Sequence, residues 1–214
     1  MTDETLEATA LSRGAERARL FLRFSARDLL SVAIFAVIYF VIVFAVAMLG
    51  IISPLVMLLT LPLSPITAGI PYMLFLTRVR HAGMVTLFGL VVGLLYLMMG
   101  HPWQSTLVTI AVSILADLIV WAGRYRSTRA AIWAHTVFTV WFVGPWIPFF
   151  IDPVAYVDSY GTESMGEAYM RQFADVVTPT TILVMVAATL VCGFLGGLLG
   201  TKLLRKHFRK AGLA

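Results

Sequence analysis

The chain has 214 residues, of which 60% are hydrophobic and 13% charged, and a mean hydropathy of +0.91, whereas soluble domains carry roughly 25% charge. Apolar segments this long and this closely spaced leave no polar surface for a water-soluble globule, so the composition reads as one membrane domain. The formal charge of +5 comes from basic residues placed beside apolar spans, which suits anionic lipid headgroups and argues against nucleic acid. A single cysteine, Cys192, excludes an intrachain disulfide and a Cys-based metal site, and reads as a small packing residue.

Residues 1–28 read as a cytoplasmic, disordered tip followed by an interfacial basic helix. The stretch from Met1 to Ala10 is acidic, and no small-residue cleavage site follows a short apolar core, so a cleaved signal peptide is not expected. In ERARLFLRFSAR, Leu20, Phe21 and Phe24 oppose Arg17, Arg19, Arg23 and Arg27, the pattern of a helix lying at a membrane surface. Ser25 and Asp28 form an S-x-x-D capping box that opens the first span. Leu29 to Leu49 then supplies 21 residues without a charge, enough to cross a hydrocarbon core of ~30 Å.

The next apolar stretch, Ile51 to Thr77, contains Pro54, Pro62, Pro65 and Pro71. Interior prolines disfavour one straight helix, so Pro65 to Thr77 is expected to form the inner half of span two, with Ile51 to Ser64 a loop or half-helix outside. Ala82 to Met99, Ser105 to Ala122, Ala130 to Ile151 and Pro179 to Thr201 supply spans three to six. The expected architecture is an all-α polytopic membrane protein, a six-helix bundle with a proline-broken second span. Its membrane domain covers 29–201, with an outer loop at 152–178 and a basic cytoplasmic tail at 202–214. Gly89 and Gly93, Gly193 and Gly197, and Gly196 and Gly200 are spaced for close helix approach, read as packing within the bundle in preference to a dimer face.

With that alternation, 15 of the 16 Lys and Arg residues fall on one side and only Arg171 on the other. Because cytoplasmic flanks are enriched in Lys and Arg, the expected location is a bacterial inner membrane with both termini in the cytoplasm.

No catalytic signature is present: the chain lacks G-x-S-x-G, H-E-x-x-H, a Walker A loop and an intramembrane acidic pair at metal-ligand spacing. The chain is therefore expected not to be an enzyme. Asp117 lies well within span four and reads as an ion pair or hydrogen bond near Trp121 and Arg124, with ligand or proton binding the alternative. His135 reads as a packing histidine. At the outer face Met99, His101, Trp103 and Gln104 cluster in the turn after span three, and Trp141, Trp146 and Phe149 end span five. Together with Asp152, which begins an acidic loop placed as a cover, they are the candidate substrate-binding residues. The competing reading of these aromatics is an interfacial belt.

The opening RDLLSVAIFAVIYFVI at Arg27 to Ile42, LPLSPITAGIPYMLF at Leu61 to Phe75 and LMMGHPW at Leu97 to Trp103 resemble the substrate-binding S components of energy-coupling factor (ECF) transporters, more narrowly the MptD or Trep_Strep group. The similarity runs over roughly residues 25–205. It implies six helices that bind a vitamin or micronutrient near the outer surface without a catalytic centre or resident cofactor. It also implies partners: a transmembrane scaffold subunit and two cytoplasmic ATPase subunits, against which the S component topples to release its ligand inside. Docking in that family uses small residues on the first helix in an Ala-x-x-x-Ala pattern. Here Ala33 and Ala36 are three apart, and Ser31, Ala33 and Ala36 are the candidate docking residues. The sequence does not name the ligand; a planar cofactor such as haem would suit Met, His and Trp stacking, and a pterin or another planar nutrient fits equally. Two other classes remain open from the sequence: an autonomous transporter or channel lined by Asp117 and His135, and a membrane enzyme using His101 or His135.

Overall fold

The computed structural model describes residues 24–160 and 165–210, the side chains of 157–160 and 207–210 excepted. The interfacial helix expected from Glu16 lies outside them up to residue 23. Helix α1 (Ala26–Ala47) starts at the anticipated capping box: the Ser25 N–H donates to Asp28 Oδ2 at 2.9 Å and the Asp28 N–H to Ser25 Oγ at 3.2 Å. One 3-10 turn, Met48–Ile51, continues it.

Helix α2 (Pro54–Leu76) corrects the expectation of a broken span. It runs continuously through Pro62, Pro65 and Pro71, with Ser53 as N-cap and Pro54 in the first turn, where a missing N–H costs nothing. Pro65 cannot donate to the Leu61 carbonyl four residues back, and the Ser64 hydroxyl donates to that carbonyl at 2.7 Å instead. Inside a bilayer a hydroxyl is the available substitute for the lost backbone donor.

Helices α3 (Met84–Met98) and α4 (Trp103–Ala122) follow. Helix α5 (Thr128–Phe138) tightens into a 3-10 segment, Thr139–Trp146, and ends in a short α6 (Ile147–Ile151). Among the described residues, the connection expected as an outer loop is largely helical, with α7 (Pro153–Tyr160) and α8 (Glu167–Val176). Helix α9 (Pro179–Lys210) extends through the basic segment that the sequence suggested as a tail. Five stretches among the described residues are long and apolar enough to cross a membrane; α3 is a shorter apolar helix. The chain is an all-α polytopic membrane protein.

The six principal helices close into a ring in which α1 packs on α2, α2 on α9, α9 on α5, α5 on α4, α4 on α3, and α3 back on α1. Its centre is filled by Tyr39, Tyr72, Phe75, Phe88 and Phe138, all fully buried. Their rings meet edge-on or stacked at 4.8–6.4 Å, arrangements that add to the value of their burial. The glycines pack within the bundle: a Cβ on Gly69 would lie 2.5 Å from the Gly196 carbonyl, and Gly193 and Gly197 face Thr139 and Ile132 of the α5 segment.

Asp117 is an intrachain helix cap. Its Oδ2 accepts from the Gly83 N–H (2.7 Å), the Thr86 N–H (3.1 Å) and the Thr86 hydroxyl (2.9 Å). Gly83, at φ +92°, has no capping side chain of its own, so the Asp117 carboxyl of α4 supplies the acceptor for the α3 N-terminus. The partner is thus neither Trp121 nor Arg124. His135 is wholly buried, with Nδ1 2.8 Å from the Gly193 carbonyl and its ring 4.9 Å from that of Tyr72, in keeping with a packing role.

The backbone contact between α2 and α9 leaves no room for a side chain. Gly196→Val is expected to lower stability by about 1–3 kcal/mol, read by thermal unfolding in detergent, while Leu183→Val, at an exposed position, changes it by less than about 0.5 kcal/mol.

Candidate functional site

The alternation of helices brings the chain's basic segments to one end of the ring. Asp28 at the start of α1 lies 3.8 Å from His81 in the α2–α3 turn, and Thr77, Arg126 and Arg205 border one depression. The opposite end holds a cavity of about 320 Å³, within the range of small-molecule sites.

Three walls form this cavity. The first is the end of α1 with Met48, together with Met57 and Leu61 from the outer half of α2. The second is Tyr96 near the end of α3 with His101 in the turn that follows. The third is the 3-10 segment, which contributes Trp141, Phe142 and Trp146; Tyr169, Met170 and Phe173 of α8 close over the top. The rings are stacked in sequence: Tyr96 lies 4.8 Å from His101 and 4.6 Å from Trp141, and Trp141 lies 4.3 Å from Phe142. Trp141 is held by its indole N–H, which donates to the Tyr39 hydroxyl at 3.2 Å. On the far side Tyr169 donates to the Gly50 carbonyl at 2.9 Å, which ties α8 to the α1–α2 connection.

Polar capacity is concentrated at this wall. The Tyr96 hydroxyl and His101 Nδ1 are buried without a hydrogen-bond partner, as are Gln104 Oε1 and Ser105 Oγ just behind them on α4. An unpartnered buried polar group costs about 1–3 kcal/mol, a cost that a ligand donor or acceptor would remove. No described lining residue carries a carboxylate, ammonium or guanidinium group. Burial lowers His101 to about 4, so at neutral pH its imidazole presents one N–H and one lone pair and no charge.

Of the candidates from the sequence, His101, Trp141 and Trp146 line the cavity. Phe149 is buried behind it, 6.3 Å from Phe173 and 5.8 Å from Tyr156. Gln104 is part of the supporting wall without lining the space. Met99 and Trp103 are 53% and 61% exposed and point out of the bundle, where the belt reading would put them. Asp152 is exposed and caps α7, its Oδ1 accepting from the Ala155 N–H at 2.9 Å. The cover therefore uses an apolar face: Met170 and Phe173 turn inward, while Glu167 and Arg171 pair at 3.0 Å on the exposed side. Of the docking candidates, Ala33 is exposed and Ser31 partly so, whereas Ala36 has no exposed surface and belongs to the core. These three do not share one open face.

Tyr96, Met57, Tyr169 and Phe173 were not singled out in the sequence. Ser53-Pro54, an N-cap followed by a first-turn proline, was the available signal that Met57 and Leu61 sit on a helix.

Because His101 is neutral when folded and titrates near 6.5 when unfolded, its contribution is present above pH 6.5 and is lost as pH falls toward 4. By pH 5 this amounts to about 2 kcal/mol. Thermal melts at pH 7.5 and pH 5 should show a drop for the wild type that is smaller in His101→Gln.

Residues 26–210 match the model of a family described as hypothetical bacterial integral membrane protein (Trep_Strep). Neither a search of curated proteins nor one of solved structures gave a match. With the match spanning nearly all of the described bundle, the chain belongs to the Trep_Strep family of bacterial integral membrane proteins.

Proposed function

We propose that this protein is the substrate-binding S component of an ECF-type importer, which captures a small planar nutrient in the cavity beside His101 and hands it inward when partner ATPases act. The observation that carries the reading is that aromatic-lined cavity, with unpartnered polar atoms of Tyr96 and His101 in its wall. The aromatic rings that line the cavity offer apolar surface on which a flat ligand can pack, and two polar groups suffice to orient it.

The ligand class can be narrowed by charge. Haem carries two propionates that call for cationic partners, and the described lining offers none. An uncharged bicyclic heterocycle of the pterin type fits the lining better. The positive-inside bias of 15 of 16 basic residues supports a cavity facing outward and both termini in the cytoplasm of an inner-membrane protein. Energy would come from a scaffold subunit and two ATPase subunits, as the resemblance implies. Asp117 Oδ2 and His135 Nδ1 are held by hydrogen bonds within the bundle, while Asp117 Oδ1 and His135 Nε2 are buried without a partner, so a polar route lined by these two residues is the second reading.

Native mass spectrometry of the gently purified chain is expected to show a retained small molecule. Its affinity should fall at least about tenfold in His101→Ala, the loss of one or two polar contacts, and stay unchanged in Trp103→Ala. Co-expression with scaffold and ATPase subunits should give a stable complex that transports the molecule. Uptake by the isolated chain in proteoliposomes, abolished by Asp117→Asn, would replace this reading with an autonomous transporter.

A further inference from the structure

The second cavity, of about 500 Å³, lies at the opposite, basic end of the ring. Its floor is apolar, built from Met73 and Leu76 of α2, Val120 of α4 and Leu204 of α9. Arg126 and Arg205 line it from two different elements, as do Ser127, Thr128 and Thr201.

Among the described residues neither arginine has a carboxylate partner: the ion pairs there are His81 with Asp28 and Arg171 with Glu167. No acidic side chain lines the cavity. The sharp turn after α4, with Arg124 and Tyr125 at φ +53° and +57°, delivers Arg126 and the N-terminus of α5 to the rim. Ser127 Oγ caps the Ala130 N–H at 3.2 Å, and the N–H groups that open α5 remain available beside the arginines.

We propose that this cavity binds a phosphate group, supplied by an anionic phospholipid headgroup or by free phosphate. Two guanidinium groups and the start of a helix present the donors and positive potential that phosphate oxygens require. An apolar floor directly beneath a cationic rim matches an amphiphile whose headgroup sits at the membrane boundary and whose chain extends along α2 and α9. The site is separate from the aromatic cavity and does not depend on the importer reading.

The test is native mass spectrometry and thermal unfolding of the full chain in neutral detergent. Dioleoylphosphatidylglycerol, dioleoylphosphatidylcholine and inorganic phosphate serve as probes. An arginine in direct contact with the phosphate adds a charge-assisted hydrogen bond to the general surface attraction, so Arg126→Gln/Arg205→Gln should weaken phosphatidylglycerol binding by at least about 25-fold. Arg78→Gln/Arg80→Gln, at the same end but outside the lining, should not. Preference for phosphatidylglycerol over phosphatidylcholine, lost in the first variant alone, identifies a lipid headgroup. A phosphate-dependent rise in Tm that is lost in the same variant, without lipid preference, identifies free phosphate. Equal losses in both arginine pairs, or neither effect in the wild type, would overturn the proposal. Should the glutamine pair fail to fold, Thr128→Glu serves instead. An acidic residue in the first turn suits the α5 N-terminus but repels phosphate, so undiminished binding there would also overturn it.

Discussion

The structure is governed by the requirement that a chain in hydrocarbon satisfy its polar groups internally. At several points where the sequence places a polar or helix-breaking residue in the bundle, a partner stands opposite. Ser64 replaces the donor that Pro65 removes, Asp117 caps a helix that opens on Gly83, and His135 meets the Gly193 carbonyl. The Trp141 indole N–H finds the Tyr39 hydroxyl. Of the eight buried side-chain polar atoms without a partner among the described residues, those of Tyr72, Asp117, Tyr125 and His135 lie elsewhere, and those of Tyr96, His101, Gln104 and Ser105 gather at one end.

Closure of the ring explains why the space exists at that end. Glycine-mediated contact draws α9 onto α2 near Gly69 and Gly196, and the five central rings fill the middle. Toward the outer end the α5 chain tightens into a 3-10 segment through Gly144 and Pro145. That segment turns Trp141, Phe142 and Trp146 into the opening. Helix α8 then lays its apolar face across the gap, tied down by the Tyr169 hydroxyl on the Gly50 carbonyl. Besides that bond, the Tyr169 hydroxyl meets Met57 Sδ at 3.8 Å and the Val176 carbonyl accepts from the Thr181 hydroxyl at 2.9 Å.

Several of these features were legible in the residues. Long uncharged runs marked the helices, and Ser25 with Asp28 marked the start of α1 with its hydrogen bonds. The clustering of His101, Trp141 and Trp146 was also readable, since turns on one side of a bundle must converge. What failed was judging α2 from proline content alone. The rescue by Ser64 is a side-chain geometry that no propensity expresses, and losing half of α2 meant losing Met57 and Leu61. Belt and pocket aromatics could not be told apart either, because Trp103 and Trp141 differ in the direction they face and not in residue type. Likewise, the acids of residues 152–178 suggested a polar cover, whereas the periodicity of Met170 and Phe173 decided which face of α8 turns inward.

The central claim is that the unpartnered atoms at the outer wall await a ligand. An experimental structure of the protein purified with its retained small molecule tests this most directly. The account predicts flat density between Trp141 and the α8 rings, with a polar atom within hydrogen-bonding distance of the Tyr96 hydroxyl or the His101 imidazole. A ligand bound elsewhere, or one that contacts neither group, would contradict it.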